Sequence, residues 1–281
     1  MKDNIVIWNK TYHVDFIRVK KLKDSVEKYN KDNIPFYISC PDSEKQLLFN
    51  TIGTDGYTFI PDEQIHPPNP RLTGWMQQTP IKLHAYEQLN CNNVLIIDSD
   101  CYFIRDFFES DFIAYDDVPY SILHENKQVQ EYNSLFFNRN IKVSEYHRAQ
   151  KAYREVFGGR SNRVYDYGPN PHLMSAKVLD HLKENYLEPN GFTFESFYFA
   201  MKNAYPDIHP RESLTYGEYL LAAKPIDIVP TGPFFKMYHW PEMAEFEKSV
   251  NMFNEELIRE NYLGILYQSK IEADHPESYV K

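Results

Sequence analysis

Residues 93–104, NVLIIDSDCYFI, decide the fold, because an apolar strand there runs directly into two carboxylates. Residues 94–97 form a continuous apolar run, which is typical of a strand buried on both faces. Asp98 and Asp100 follow, and in an extended chain Ser99 points the other way, so that both carboxylates lie on one side. Hard divalent cations bind such carboxylates. Asp-Ser-Asp is also good turn material, so the stretch alone leaves a metal site and a turn open.

The chain before this strand alternates between strand and helix signals. The pattern predicts strands at 4–8, 34–40 and 56–61, helices at 16–29, 42–52 and 79–89, and a Pro-rich loop at 61–74. Such alternation favours parallel strands joined by crossover helices. Ligands bind at the carboxyl ends of parallel strands, which is where Asp98 and Asp100 lie.

The second half of the sequence is less regular. It predicts strands at 118–125, 131–140 and 226–232, helices at 144–158, 171–186, 192–205 and 209–223, and a helical tail from 241. We find no repeat, no low-complexity tract and no flexible linker. One mixed α/β domain is the simplest interpretation.

Composition excludes several classes of function. The net charge of −10 argues against a nucleic-acid binder, which needs a basic face. The three cysteines lack zinc-ligand spacing, so we expect reduced thiols. The opening MKDNIVIWNK has too short an apolar run for a signal peptide, and no run is long enough to span a membrane. We therefore expect a cytoplasmic protein. Its oligomeric state is not indicated.

Several motifs together resemble a known class of enzymes. In order, they are GWMQQTPIKLHAYEQL (74–89), NVLIIDSDCYFI (93–104), ESLTYGEY (212–219) and MYHW (237–240), after the opening TYHVDFIRVKKLKDSV (11–26). This set resembles the GT-A nucleotide-sugar glycosyltransferases, and in particular an uncharacterised bacterial GT-A-like family associated with surface polysaccharide genes. The chain departs from that family's Ser-Glu-Tyr pattern, because Arg211 and Ser213 flank Glu212.

The resemblance implies a fold and a domain organisation. The fold would be α/β, of the Rossmann-like GT-A type, with a mostly parallel central sheet flanked by helices and a smaller antiparallel portion on the acceptor side. Residues 1–240 would form the glycosyltransferase domain, divided into a nucleotide-sugar-binding half (about 1–105) and an acceptor-side half (about 106–240). Residues 241–281 would form a helical C-terminal extension.

The resemblance also implies a donor site for a UDP-, GDP- or CMP-linked sugar with Mn²⁺ or Mg²⁺. Asp98, Asp100 and His239 would hold the metal ion, and Lys82 would contact the diphosphate. The remaining donor-binding residues would be Asn9, Thr11, Tyr12, Asp15, Gln78 and Ser99. Structural alternatives stay open for some of these: a solvated Lys82, a half-buried His239 and helix capping by Asp15.

Transfer to an acceptor implies further residues. An inverting reaction needs a carboxylate base, for which Glu212 is the first choice, Glu218 the second and Asp166 the third. Acids in the first turn of a helix are also favoured by the helix dipole alone, which is the alternative for Glu212. A retaining reaction would need no such base. A glycan or lipid-linked saccharide acceptor would contact Tyr167, His172 and Trp240.

Three other interpretations are weighed against this one. A phosphatase of the haloacid dehalogenase type also ends a strand on Asp-x-Asp, but usually near the N-terminus and followed by Thr or Gly. A GT-A-like domain that binds carbohydrate without turnover is the non-catalytic alternative. Contact with an anionic membrane surface would use the basic residues Arg18, Lys20, Lys21 and Lys23, although a solvated helix face is the simpler account of them.

Overall fold

Two apolar strands, β1 (Asp3–Lys10) and β4 (Cys91–Ile96), form the centre of the fold and pair in parallel. Along each strand, successive side chains enter different hydrophobic clusters. Val6, Trp8, Val94 and Ile96 pack in one cluster, whereas Ile5, Ile7, Leu95 and Ile97 pack in the other. Because both faces are covered, these strands carry continuous apolar runs instead of an alternating pattern. The computed structural model describes residues 2–72, 74–125, 145–168, 171–238, 241–251 and 254–268.

The main sheet has five strands in the order β3-β2-β1-β4-β8. The first four are parallel, and β8 is antiparallel to β4. The other strands of this sheet are β2 (Phe36–Cys40), β3 (Thr58–Pro61) and β8 (His172–Ser175). The helices of the first half are α1 (Phe16–Tyr29), α2 (Lys45–Ile52), α3 (Asp62–Ile65) and α4 (Gln78–Leu89).

Two three-stranded sheets complete the β structure. One has the order β10-β11-β5 and the other β6-β7-β9, and each contains one parallel and one antiparallel pair. Their strands are β5 (Cys101–Phe103), β6 (Ile113–Tyr115), β7 (Val118–Ile122), β9 (Val229–Thr231), β10 (Phe235–Tyr238) and β11 (Gly264–Tyr267).

Among the described residues, the second half of the chain has six α-helices. They are α5 (Glu145–Phe157), α6 (Ala176–Leu182), α7 (Phe194–Ala204), α8 (Glu212–Ala223), α9 (Pro241–Ser249) and α10 (Glu255–Asn261). Among the described residues, no helix is long and apolar enough to cross a bilayer.

The predicted α/β fold with a mostly parallel central sheet is confirmed. Four details differ. The loop predicted at 61–74 includes α3, and the helix predicted at 171–186 begins with strand β8. The smaller portion is mixed, not antiparallel. The tail predicted to be helical also contains β11, which lies between β10 and β5. The strand predicted at 131–140 falls outside the described residues.

Strand β11 tolerates no side chain at its first residue, which gives a stability test. A Cβ at Gly264 would lie 2.5 Å from both the Phe235 ring and the Tyr102 carbonyl oxygen. We expect Gly264→Ala to lower the free energy of unfolding by about 1–3 kcal/mol, as overpacking does. The measurement is urea unfolding.

The matched control is Gly232→Ala, because Gly232 is exposed and a Cβ there meets nothing within 4 Å. It should change the free energy of unfolding by less than about 0.5 kcal/mol. Equal effects of the two substitutions would contradict the close packing of β11.

Candidate functional site

The candidate site lies where β1 and β4 end side by side. From β1 the sheet continues through β2 and β3 on one side and through β4 on the other, so the strand order reverses between β1 and β4. In open α/β sheets, the crevice outside the carboxyl ends of the strands at such a point is where ligands bind. The loop after β4 carries Asp98, Ser99 and Asp100.

Buried polar contacts hold this loop against the end of β1. Asn9 Nδ2 donates to the carbonyl oxygen of Ile97 at 2.7 Å, and Ser99 Oγ donates to Thr11 Oγ1 at 3.0 Å. Asn9, Thr11 and Ser99 are all buried. These three predicted donor-binding residues therefore brace the loop that presents the two carboxylates.

The two carboxylates have different surroundings. The Asp98 side chain is 38% exposed, and its Oδ1 accepts a hydrogen bond from Lys82 Nζ at 2.9 Å. Asp100 is half-buried, and its carbonyl oxygen accepts from the backbone N–H of Tyr267 in β11 at 3.1 Å. Carboxylate oxygens are the donors that Mg²⁺ and Mn²⁺ prefer, so these residues fit such a cation. Among the described residues, no group of three or more His, Cys, Asp or Glu side chains forms a metal site.

Lys82 is the charged centre of the crevice and is only 4% exposed. Its ammonium lies 2.9 Å from Asp98 Oδ1 and 3.2 Å from Glu212 Oε1. Burial lowers the pKa of Lys82, but the two carboxylates outweigh burial and hold the pKa above its ordinary value. Lys82 therefore carries a full positive charge at neutral pH. Because the side chain is buried, the alternative of a solvated lysine is wrong.

Glu212, the first residue of α8, is buried beside Lys82. Its Oε2 accepts from Thr79 Oγ1 at 3.2 Å, and its Oε1 lies 3.7 Å from Nε2 of the buried His172. Burial raises the pKa of Glu212, but Lys82, His172 and a backbone hydrogen bond outweigh it and bring the pKa to about 2. Thr79 was not predicted as a site residue, although it stands one helical turn before Lys82 on α4.

Glu218, the second choice for a base, is part of a buried ion pair. Its two oxygens accept from Nη2 of Arg154 at 2.7 Å and from Nε at 2.8 Å, and Tyr167 donates its hydroxyl to the same carboxylate. Glu218 is 2% exposed. These hydrogen bonds explain why Glu218 and Tyr167 are buried in the interior. Asp166 beside them is half-buried, and its backbone pairs with that of His124.

The other predicted donor, acceptor and metal-binding residues have the following positions. Tyr12 is 38% exposed just after β1. Asp15 precedes α1 but makes no capping hydrogen bond, and it pairs with Arg18 instead. Gln78 begins α4 and is half-buried. His172 is buried at the start of β8, opposite Ile96. His239 and Trp240 lie outside the described residues.

The low pKa of Glu212 predicts a specific acid sensitivity. The folded-state pKa of about 2 lies below the ordinary value of 4.5, so the charge of Glu212 stabilises the fold fully above pH 4.5. This contribution, at most about 3 kcal/mol, is lost as the pH falls toward 2. We expect Glu212→Gln to lower the free energy of unfolding at neutral pH.

The difference between wild type and Glu212→Gln should shrink steadily below pH 4.5, as measured by urea unfolding at a series of pH values. A difference that is constant down to pH 2 would mean that Glu212 has no depressed pKa. The control Glu255→Gln removes a carboxylate that is 47% exposed and paired with Arg259 on α10, and it should show a small difference throughout.

Comparisons with known proteins give the following similarities. No curated protein matches the chain. Among solved structures, it is similar to the galactosyltransferase LgtC in complex with donor and acceptor sugar analogs (14% identity, TM-score 0.47, covering 93% of this chain and 86% of that one). It is also similar to mouse xyloside xylosyltransferase 1 in its apo form (6% identity, TM-score 0.49, covering 95% and 98%).

Likenesses at these identities and TM-scores carry no argument about the reaction of this chain. The family comparison is stronger, because it rests on the sequence and extends from β1 into α8. Residues 4–221 match the model of a family of unknown function, DUF6492. Because this match spans most of the chain, the protein belongs to the DUF6492 family.

Proposed function

We propose that this chain is a metal-dependent glycosyltransferase of the GT-A type, which moves a sugar from a nucleotide-sugar donor to a saccharide acceptor. One observation carries the proposal. The carboxylates of Asp98 and Glu212 pair with the ammonium of Lys82 at the crevice where the strand order of the sheet reverses, and Asp100 lies on the same loop as Asp98. That crevice is the place where α/β sheets bind nucleotides.

The charges of this group support the need for a metal ion. Two carboxylates pair with the one ammonium and the loop adds that of Asp100, so the group is net negative and would repel a diphosphate on its own. Asp98 and Asp100 would hold Mn²⁺ or Mg²⁺ with water and phosphate oxygens as the other ligands. Once bound, the cation would neutralise the charge that develops on the leaving diphosphate.

The resemblance implies His239 as a further ligand, and the described residue before it, Tyr238, ends β10. Tyr238, the residue before His239, is aligned with Tyr267 in the pairing of β10 with β11. The N–H of Tyr267 donates to the carbonyl oxygen of Asp100. Hydrogen-bonded pairing therefore links the chain at Tyr238, through one residue of β11, to the loop that carries Asp100. Imidazole nitrogen is a suitable ligand for Mn²⁺.

Lys82 would bind the diphosphate of the donor. An ammonium has three N–H donors, and only Asp98 and Glu212 accept from Lys82 among the described residues. A third N–H is left for a phosphate oxygen. Positive charge fixed at this position before the reaction stabilises the leaving group at no cost of reorganisation.

The nucleoside would lie at the end of β1. Tyr12 offers a partly exposed ring for stacking, and Asp15 and Gln78 offer polar groups at the rim of the crevice. The loop of Asp98 would be held in place by the hydrogen bonds of Asn9, Thr11 and Ser99 described above, without direct contact of these residues with the nucleoside. The nucleobase and the sugar stay open between UDP, GDP and CMP donors.

For an inverting reaction, Asp166, the third choice from the sequence, is the base that we propose. Glu212 and Glu218, which the sequence ranks above it, are both buried in ion pairs. Asp166 is half-buried, and its charge acts on His172 in the crevice. The acceptor, a glycan or lipid-linked saccharide of a surface polysaccharide, would contact His172 and Trp240, whereas Tyr167 is buried against Glu218. The lipid-linked form would bring the chain to a membrane surface.

The donor site predicts metal-dependent nucleotide binding. We expect one of UDP, GDP or CMP to raise the melting temperature of the wild type in the presence of Mn²⁺ and not in its absence, because a ligand that binds only the folded state stabilises it. Asp100→Ala should abolish the shift. The readout is a thermal shift assay with the nucleotide panel.

The control variant is Asp106→Ala, since Asp106 is 54% exposed and pairs with Lys31 away from the crevice. It should behave as the wild type does. The donor site is refuted when no nucleotide shifts the wild type with Mn²⁺, or when Asp100→Ala responds fully.

The assignment of Asp166 predicts a separate defect. We expect Asp166→Asn to keep Mn²⁺-dependent nucleotide binding and to lose transfer by about 10²–10⁴-fold, which is the usual contribution of a general base. The measurement is release of nucleoside diphosphate from the nucleotide sugar with a saccharide acceptor. Unchanged turnover would remove Asp166 from the reaction, and binding without any turnover in the wild type would favour the non-catalytic alternative.

A further inference from the structure

Both carboxylate oxygens of Glu212 are directed at helix α4. Oε1 lies 3.2 Å from Lys82 Nζ, and Oε2 accepts the hydroxyl of Thr79 at 3.2 Å. Thr79 and Lys82 are one turn apart on α4, so the carboxylate spans that turn. Glu212 is 8% exposed and Lys82 is 4% exposed. The contact therefore joins two buried side chains that are far apart in sequence.

These contacts are unsuited to general base catalysis. A base needs an oxygen directed at the acceptor hydroxyl, and here both oxygens are directed at partners on α4. An efficient base also has a pKa near the working pH, whereas the pKa of Glu212 is brought to about 2 by its neighbours despite burial. The macrodipole of α8 alone does not explain the residue either, because its side chain is paired across to another helix.

We propose that Glu212 is a positioning residue, which holds the Lys82 ammonium against Asp98 so that its third N–H points at the diphosphate of the donor. This inference rests on the proposed function. It replaces the role of base that the sequence assigns to Glu212, and it gives the Glu212–Lys82 contact an effect on donor binding instead of on proton transfer.

The flexibility of the lysine side chain explains why a second contact is needed. We call the contacts of Asp98 and Glu212 with Lys82 the clamp. A lysine side chain is flexible, so its ammonium can occupy many positions. Ordering it in one position costs conformational entropy when a ligand binds. Asp98 alone fixes the ammonium at one point. Glu212 adds a second point from the opposite helix, and Thr79 fixes Glu212 in turn. Two fixed acceptors leave the third N–H with a defined direction.

The test is a double-mutant cycle on nucleotide affinity. The variants are Glu212→Gln, Lys82→Met and the double variant, and the probe is the nucleotide of the UDP, GDP and CMP panel that shifts the wild type most, titrated calorimetrically with Mn²⁺ present. We expect each single variant to bind about tenfold more weakly, as loss of a charged hydrogen bond does. The double variant should lie within about twofold of Lys82→Met, because the two side chains act as one unit.

A matched control comes from the same helix. Glu87 on α4 pairs with Lys183, with 2.8 Å between the carboxylate and the ammonium, and it does not contact Lys82. Glu87→Gln removes a paired carboxylate from α4 and should leave the nucleotide affinity unchanged. A purely structural role for Glu212 would lower the melting temperature without the coupling to Lys82.

Retained affinity in Glu212→Gln together with lost transfer would overturn the inference and restore Glu212 as the base. Additive effects of Glu212→Gln and Lys82→Met would overturn it as well. If Glu212→Gln does not fold, Thr79→Val decides: a smaller loss of affinity supports the clamp, and unchanged affinity overturns it. Absence of any nucleotide binding in the wild type would instead refute the proposed function, and the inference with it.

Discussion

The buried ammonium of Lys82 is the interaction on which the candidate site depends. A charge removed from water is tolerated only where partners of opposite charge lie within hydrogen-bond distance. Asp98 and Glu212 supply them, at 2.9 Å and 3.2 Å. These three residues come from α4, from the loop after β4 and from the start of α8. These ion pairs therefore connect α4, the loop after β4 and α8 to one another.

The burial of β1 and β4 explains both their apolar sequences and the firm attachment of the loop that carries Asp98. Both strands are covered on their two faces, so their side chains are close-packed in two hydrophobic clusters. The hydrogen bonds of Asn9 and Thr11 then connect these packed strands to the loop of Asp98. Charged groups at the edge of such a sheet can be held in position despite their repulsion, because the strands that carry them are stable.

The sequence predicts the first half of this arrangement well, and particular residues show why the rest escapes it. Helix α1 lies where the spacing of Phe16, Val19, Leu22 and Val26 puts it. The sequence pattern does not separate strand β8 from the helix that follows it, because four residues are too few to show a period of their own. The contact between Lys82 and Glu212 joins residues far apart in sequence, and nothing in either local pattern encodes it. The local sequence offers only the helix-dipole interpretation of Glu212, and the catalytic interpretation comes from the resemblance.

The two acids of the Asp-Ser-Asp loop are held by different parts of the chain. Asp98 is held through its side chain, by Lys82, and Asp100 through its carbonyl oxygen, by Tyr267 of β11. The residues that match the family end at 221, so β11 lies beyond them. A strand outside the matched region therefore supports a loop inside it. Removal of β11 would therefore take away the N–H from which the carbonyl oxygen of Asp100 accepts, and with it one support of the loop.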